Sequence, residues 1–183
     1  MHILQHGYSS MLFSLAVFDN IRQRTSSIRR SKLNRTEVFE QLKIDEGVKY
    51  EIYNDHLGYP TFGVGHLVLE SDPEYNQPTG TPITEERVAE CFDKDLNTAI
   101  SECNTLYGTG AFDGLPDEVQ GILVNMMFNL GRPRLSKFKN MRKAVDSRDW
   151  ALAAVEGRDS LWYRQVGNRA ERLMEKLENV TST

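Results

Sequence analysis

The 183-residue chain sets 22 Lys+Arg against 26 Asp+Glu, a formal charge of -4, with 39% hydrophobic and 9% aromatic residues. That is enough apolar material for a core and excludes global disorder. No apolar run approaches the ~18 residues of a membrane span. The longest, Met11–Phe18, has its basic residues after it rather than before it, so no Sec export signal is expected.

The average charge conceals a polarity. Residues 1–35 hold six bases and one acid, residues 36–131 four bases and 18 acids, and residues 132–183 twelve bases and seven acids. Residues 1–35 (Arg22, Arg24, Arg29, Arg30, Lys32 and Arg35) read as a basic arm or linker, and residues 36–183 as one folded domain. A basic arm can bind nucleic acid or an acidic partner. The preferred reading is a solvated linker or an anchor to a neighbouring protein, and no nucleic acid is expected.

In chain order, Asn34 with Glu37 three residues on marks the entry of a helix carrying Val38, Phe39, Leu42 and Ile44, and Gly47 is its natural stop. Tyr50–Val68 predicts strands around the turn Asn54–Gly58, and Glu70–Pro82 predicts a loop. Thr84 caps a long helix through Val88, Cys91, Phe92, Leu96, Ile100 and Cys103. Asn104–Gly114 is expected to break it. Pro116 opens a buried central helix that ends at Gly131. Four shorter helices follow, over Ser136–Val145, Trp150–Glu156, Ser160–Gln165 and Asn168–Asn179. The fold class is α+β: a small sheet-bearing lobe, a long connecting helix and a mostly helical lobe, with an active-site cleft between the lobes.

Cys91 and Cys103 on one helix would stand about 18 Å apart, beyond the ~7 Å reach of a disulfide, so both are read as free buried thiols. The histidines show no zinc-ligand spacing. No metal and no cofactor are expected.

The candidate chemistry rests on carboxylates. Glu46 and Asp55 lie nine residues apart, one at a helix end and one before a strand turn. Glycoside cleavage needs such a pair, an acid to protonate the leaving oxygen and a carboxylate on the other side of the sugar. Among so many acids the pair alone is a weak signal. The stretch LKIDEGVKYEIYNDHLGYPTFGVGHLVL (Leu42–Leu69) strengthens it, because it resembles the catalytic segment of the T-even phage lysozymes. Resemblance resumes at ITEERVAECFDKDL, LVNMMFNLG and GRDSLWYRQVGNRAER, and covers roughly residues 36–178 in chain order. The last segment is most similar to the tail-baseplate type of lysozyme domain.

The resemblance implies a lysozyme-like fold and a muramidase that cuts the β-1,4 bond between N-acetylmuramic acid and N-acetylglucosamine, with inversion. It implies Glu46 as the general acid, Asp55 as the second carboxylate and Thr61 as the hydroxyl that positions water. Arg169 matches an arginine paired with the acid. A guanidinium favours the ionised carboxyl while burial favours the neutral one, so the net direction is open at this point. Leu67 and Phe128 match positions lining the saccharide cleft, and Asn125 matches a cleft-side asparagine. His66 matches a histidine in a structural ion pair with the aspartate at Asp95. The implied partners are peptidoglycan strands and, through residues 1–35, phage baseplate or tail proteins. The implied location is the virion tail; the alternatives are a free endolysin that passes from host cytoplasm to periplasm, or a structural glycan-binding module of the tail.

Overall fold

The computed structural model describes residues 33–181. Most of the stretch read as a basic arm, including Met11–Phe18, lies outside the described residues. Within them the chain forms α1 (Arg35–Glu46), β1 (Lys49–Asn54), β2 (Pro60–Gly63), β3 (His66–Leu67), α2 (Glu85–Tyr107), α3 (Thr109–Asp113), α4 (Asp117–Leu130), α5 (Arg132–Leu135), α6 (Lys139–Asp146), α7 (Trp150–Arg158), α8 (Leu161–Val166) and α9 (Asn168–Glu178). The class is α+β, with a three-stranded antiparallel sheet in the order β1-β2-β3.

Local chemistry accounts for most boundaries. Asn34 caps α1 by accepting from the Glu37 amide at 3.2 Å. Thr84 does the same for α2 from Arg87, Asp149 for α7 from Leu152, and Ser160 for α8 from Tyr163. Each satisfies an amide that the first helical turn leaves open. Ile44, expected on the apolar stripe of α1, is instead 74% exposed.

Three expectations are corrected. Helix α2 does not break at Asn104 but runs to Tyr107. Leu106 and Tyr107 are buried there, and the Asn104 side chain donates to the Ile100 carbonyl within the helix, so packing overrides a weak local preference. The segment after it contains the short helix α3, anchored by the fully buried Phe112. The turn 131–138 likewise winds into α5 before α6 begins at Lys139.

The small lobe packs Ile52, Phe62, Ile83, Val88 and Cys91 together, with Val48 and Val68 against them. Between Lys49 and Tyr53 the β1–β2 register shifts. There β1 turns its other edge to the end of the 70–82 loop, with Ile52 N–H donating to Thr81 O at 3.0 Å and Ile83 N–H to Tyr50 O at 2.8 Å. The 70–82 loop is more firmly held than its composition suggests. Arg87 donates to Glu74 at 2.9 and 2.8 Å and to Asp72 at 3.0 Å, and Glu74 is only 8% exposed.

Beside this network the His66 ring bridges Asp95 (Nδ1, 2.8 Å) and Asp72 (Nε2, 3.1 Å). Cys91 Sγ also lies near, and one donor atom each from His66, Asp72 and Cys91 falls within 4.8 Å of the others. Asp72 is already taken up by Arg87 and His66, and burial pushes the Cys91 thiol up to about 11. The chemistry of this cluster is that of an ion-pair network rather than a metal centre.

Burial of the ring works against its charge, but Asp95 and Asp72 outweigh it and raise the His66 pKa. A raised folded-state value stabilises the fold fully below the unfolded pKa of about 6.5, and that stability is lost as pH rises through the folded value. His66→Gln is therefore expected to lower stability by about 2–3 kcal/mol near pH 5.5. The gap in melting temperature from wild type should narrow as pH rises; a gap constant from pH 5.5 to 9 would contradict the assignment.

The helical lobe is built around α4, which touches α1, α2, α5 and α9 and buries Val119, Gln120 and Ile122 through Met127. Helices α7 and α9 cross where Gly157 leaves no room. A Cβ there would collide with Met174 Sδ, and Met174 is fully buried. Gly157→Ala is expected to destabilise by about 1–3 kcal/mol, although glycine-to-alanine is usually favourable in helices. Thermal unfolding checks this, and a rise in melting temperature would refute it.

Candidate functional site

Glu46 is the last residue of α1, and Gly47 turns the chain away at φ +75° with its amide on Lys43 O at 3.0 Å. The Glu46 side chain keeps 26% exposure. Its Oε1 accepts from Arg169 Nη1 at 2.5 Å and from Asn129 Nδ2 at 3.5 Å. Asn129 is itself fixed by Trp162, whose indole N–H donates to its Oδ1 at 2.9 Å.

Behind Glu46 lies a polar network. Arg169, 7% exposed, donates to Asn125 Oδ1 through Nε at 3.1 Å and Nη2 at 2.9 Å. Asn125 Nδ2 donates to Asp45 Oδ2 at 3.0 Å. The Asp45 side chain has no exposed surface and stands 3.5 Å from Arg169 Nε and 2.6 Å from Arg172 Nη2. Gln41 Nε2 also donates to it, at 3.1 Å. A buried carboxylate is tolerated only when its oxygens are so satisfied. Asn125, polar within an apolar helix, is thus the hinge between two charges of opposite sign.

Asp55 is held by its own turn. Its Oδ1 accepts from the amides of Leu57 and Tyr59, both at 2.8 Å, while its backbone pairs with Tyr59 O at 2.9 Å and Gly58 N at 3.0 Å. Gly58 adopts φ +88°, which the turn requires. The Tyr59 amide first, with those of Leu57 and Gly58 and the charge of His56, holds the Asp55 carboxyl below its ordinary pKa. It is therefore ionised at neutral pH.

Thr61, 4% exposed, donates its hydroxyl proton to Tyr59 O at 3.0 Å, which leaves its oxygen lone pairs to accept. It stands in the central strand, opposite Tyr53 on one side and Leu67 on the other. Directly opposed residues share a sheet face, so Tyr53, Thr61 and Leu67 form one row, and Leu67 is 45% exposed. Phe62 and His66, the next pair, point to the other face. Alternation thus separates His66 from the Thr61 row. Phe128 is partly buried and packs 5.8 Å from Phe92 in an aromatic stack that continues to Phe39.

The structure thus brings Glu46, Arg169 and Asn125 into one cluster, sets Asp55 and Thr61 on the β1–β2 hairpin with Leu67 beside Thr61 on β3, and places His66 with Asp95 elsewhere. Tyr53 lies in the field of both groups. Burial first, then the charges of Glu46 and Asp55, raise its pKa. Sequence reasoning missed Tyr53, Asp45, Arg172, Asn129 and Trp162. The adjacency of Asp45 to Glu46 and the alternation of Tyr53 with Asp55 were the available signals.

A family model described as phage lysozyme matches residues 43–179. The chain is 33% identical over 150 residues to the pre-baseplate central spike protein Gp5 of Enterobacteria phage T4, covering 73% of this chain and 26% of that protein. It is 29% identical over 159 residues to the probable T4-type lysozyme 2 of Dictyostelium discoideum, covering 78% and 94%. To the peptidoglycan hydrolase gp36 of Pseudomonas phage phiKMV it is 28% identical over 135 residues, covering 72% and 14%. The chain therefore spans nearly all of the Dictyostelium relative and a minor part of the two phage proteins.

Proposed function

This chain belongs to the phage lysozyme family, and from that premise we propose that it hydrolyses the β-1,4 bond between N-acetylmuramic acid and N-acetylglucosamine in peptidoglycan. Glu46 donates a proton to the bridging oxygen, the bond to the anomeric carbon breaks, and its electron pair leaves with the departing 4-hydroxyl. The ionised Asp55 stabilises the positive charge that develops on the sugar. Thr61 and Asp55 accept hydrogen bonds from the attacking water, and Asp55 takes one of its protons as the new C–O bond forms, the other staying on the new anomeric hydroxyl. Arg169 holds the Glu46 carboxylate left behind until solvent reprotonates it. Water attacking opposite the leaving group gives inversion, and the α-anomer appears first in proton NMR of the products. A β-anomer would point to retention.

The observation that carries this reading is the contrast between the two carboxyls. Glu46 sits at a helix end against Arg169, which neutralises the carboxylate left once the proton is given away, and Asp55 sits in a hairpin turn whose amides keep it ionised. On the helical lobe, a groove of about 490 Å³ is lined by Arg134, Lys137 and Lys139 against Glu156 and Asp159, with Phe138 and Trp162, a mixed but net basic surface that can meet the peptide carboxylates of the cell wall. The direct test is turbidity. Permeabilised Gram-negative cells should clear with wild type and not with Glu46→Gln, and equal clearing by both would overturn the role of Glu46.

We further read the enzyme as a particle-borne tail lysozyme that opens the wall at infection. Two features support this: the 33% identity to a pre-baseplate spike protein, and the net acidity of residues 36–183, 16 bases against 25 acids, which disfavours diffusive search of an anionic wall. On this reading residues 1–35 dock on a baseplate or tail protein. Mass spectrometry of purified virions decides it: presence supports the tail role, and absence supports a free endolysin released through the membrane at lysis.

A further inference from the structure

Tyr53 has no role in the chemistry above, yet the sheet register delivers it there. It precedes Asp55 by two residues on β1 and opposes Thr61 directly on β2, so it stands in the Thr61 row. Its ring is half-buried, and Lys49 Nζ lies 4.0 Å from the ring centroid, a cation–π contact that closes one face and fixes the ring's orientation. Its hydroxyl has no hydrogen-bond partner among the described residues. A half-buried phenol ordinarily finds a partner, and among the described residues this hydroxyl is left open to a bound ligand.

The neighbouring groups specify what that partner must be. Asp55 is an acceptor, and the Thr61 proton is already given to Tyr59 O, so this row offers a sugar acceptors and lacks a donor. The phenol, kept neutral beside two carboxylates, supplies one. Among the oxygens of an N-acetylated glycan the amide carbonyl is the strongest neutral acceptor. We propose that Tyr53 is a substrate-contacting specificity residue: its O–H donates to the carbonyl of a 2-acetamido group on the sugar acted on by Glu46 and Asp55, with Lys49 holding the ring in place. This rests on the glycoside-hydrolase reading above.

The test compares wild type, Tyr53→Phe and Lys49→Met on fully N-acetylated peptidoglycan and on the same material after enzymatic de-N-acetylation. Tyr53→Phe keeps the ring and its contact with Lys49, so its melting temperature should stay within about 2 °C of wild type. Its kcat/KM should fall about tenfold on the acetylated glycan and stay within twofold of wild type on the de-acetylated one. Lys49→Met should lose the same preference to a smaller degree, and an unchanged preference would overturn the role given to Lys49. Tyr53→Phe matching wild type on acetylated glycan, or losing equally on both substrates, would overturn the proposal. Wild type cleaving neither substrate would instead overturn the hydrolase reading on which it stands.

Discussion

Glu46→Gln is expected to lower kcat by about 10²–10⁴-fold, the span typical of losing a positioned general acid. The amide has the shape of the acid, and its carbonyl can still accept from Arg169, which holds Glu46 at 2.5 Å. What disappears is the proton that the leaving oxygen needs. Arg169 keeps Asn125 and Asp45 as partners, so the fold should be nearly unaffected and the melting temperature should move by only a few degrees. KM should hardly change, because the proton matters in the transition state rather than in binding. A variant with near-normal kcat would remove Glu46 from the chemistry.

Asp45→Asn should have the reverse profile, a large loss of stability. The Asp45 carboxylate is fully covered and stands between two guanidiniums, at 3.5 Å from Arg169 and 2.6 Å from Arg172. An amide turns one of its two acceptors into a donor, and one guanidinium then faces N–H instead of oxygen. Removing one partner of a buried ion pair costs about 3–5 kcal/mol, a fall of roughly 6–20 °C in melting temperature for a chain of this size. Some activity should go with it even well below the transition, since the Arg169 that holds Glu46 is steadied by Asp45 and Asn125. Thermal unfolding followed by circular dichroism tests this, and a shift under about 2 °C would mean that the buried charge is not needed.

The two experiments separate what could be read along the chain from what could not. Glu46, Asp55 and Thr61 fall within sixteen consecutive residues, and the spacing itself reports helix end, hairpin turn and strand. The caps at Asn34 and Thr84 and the stops at Gly47 and Gly131 are equally local. Arg169 became visible only through resemblance, because nothing near it in the chain says that it reaches Glu46. Asp45 was harder still. It looks like one more acid in an acidic stretch, and its burial depends on Asn125, Arg169 and Arg172, all at least 80 residues away. The extension of α2 to Tyr107 and the anchoring of the 70–82 loop by Arg87 have the same origin. Tertiary contacts decided them against a local signal for a break or a loop. Tyr53 is the intermediate case. Its place in the Thr61 row follows from strand alternation once the register is known, and the register shift inside β1 hides that register from the sequence.

The most direct measurement is chemical identification of the new reducing ends. Purified peptidoglycan digested with the wild-type protein, reduced with borohydride and hydrolysed should yield muramicitol in proportion to the bonds cut. Glucosaminitol in its place would contradict the assigned bond. Released peptides without any new reducing sugar would contradict glycoside hydrolysis altogether.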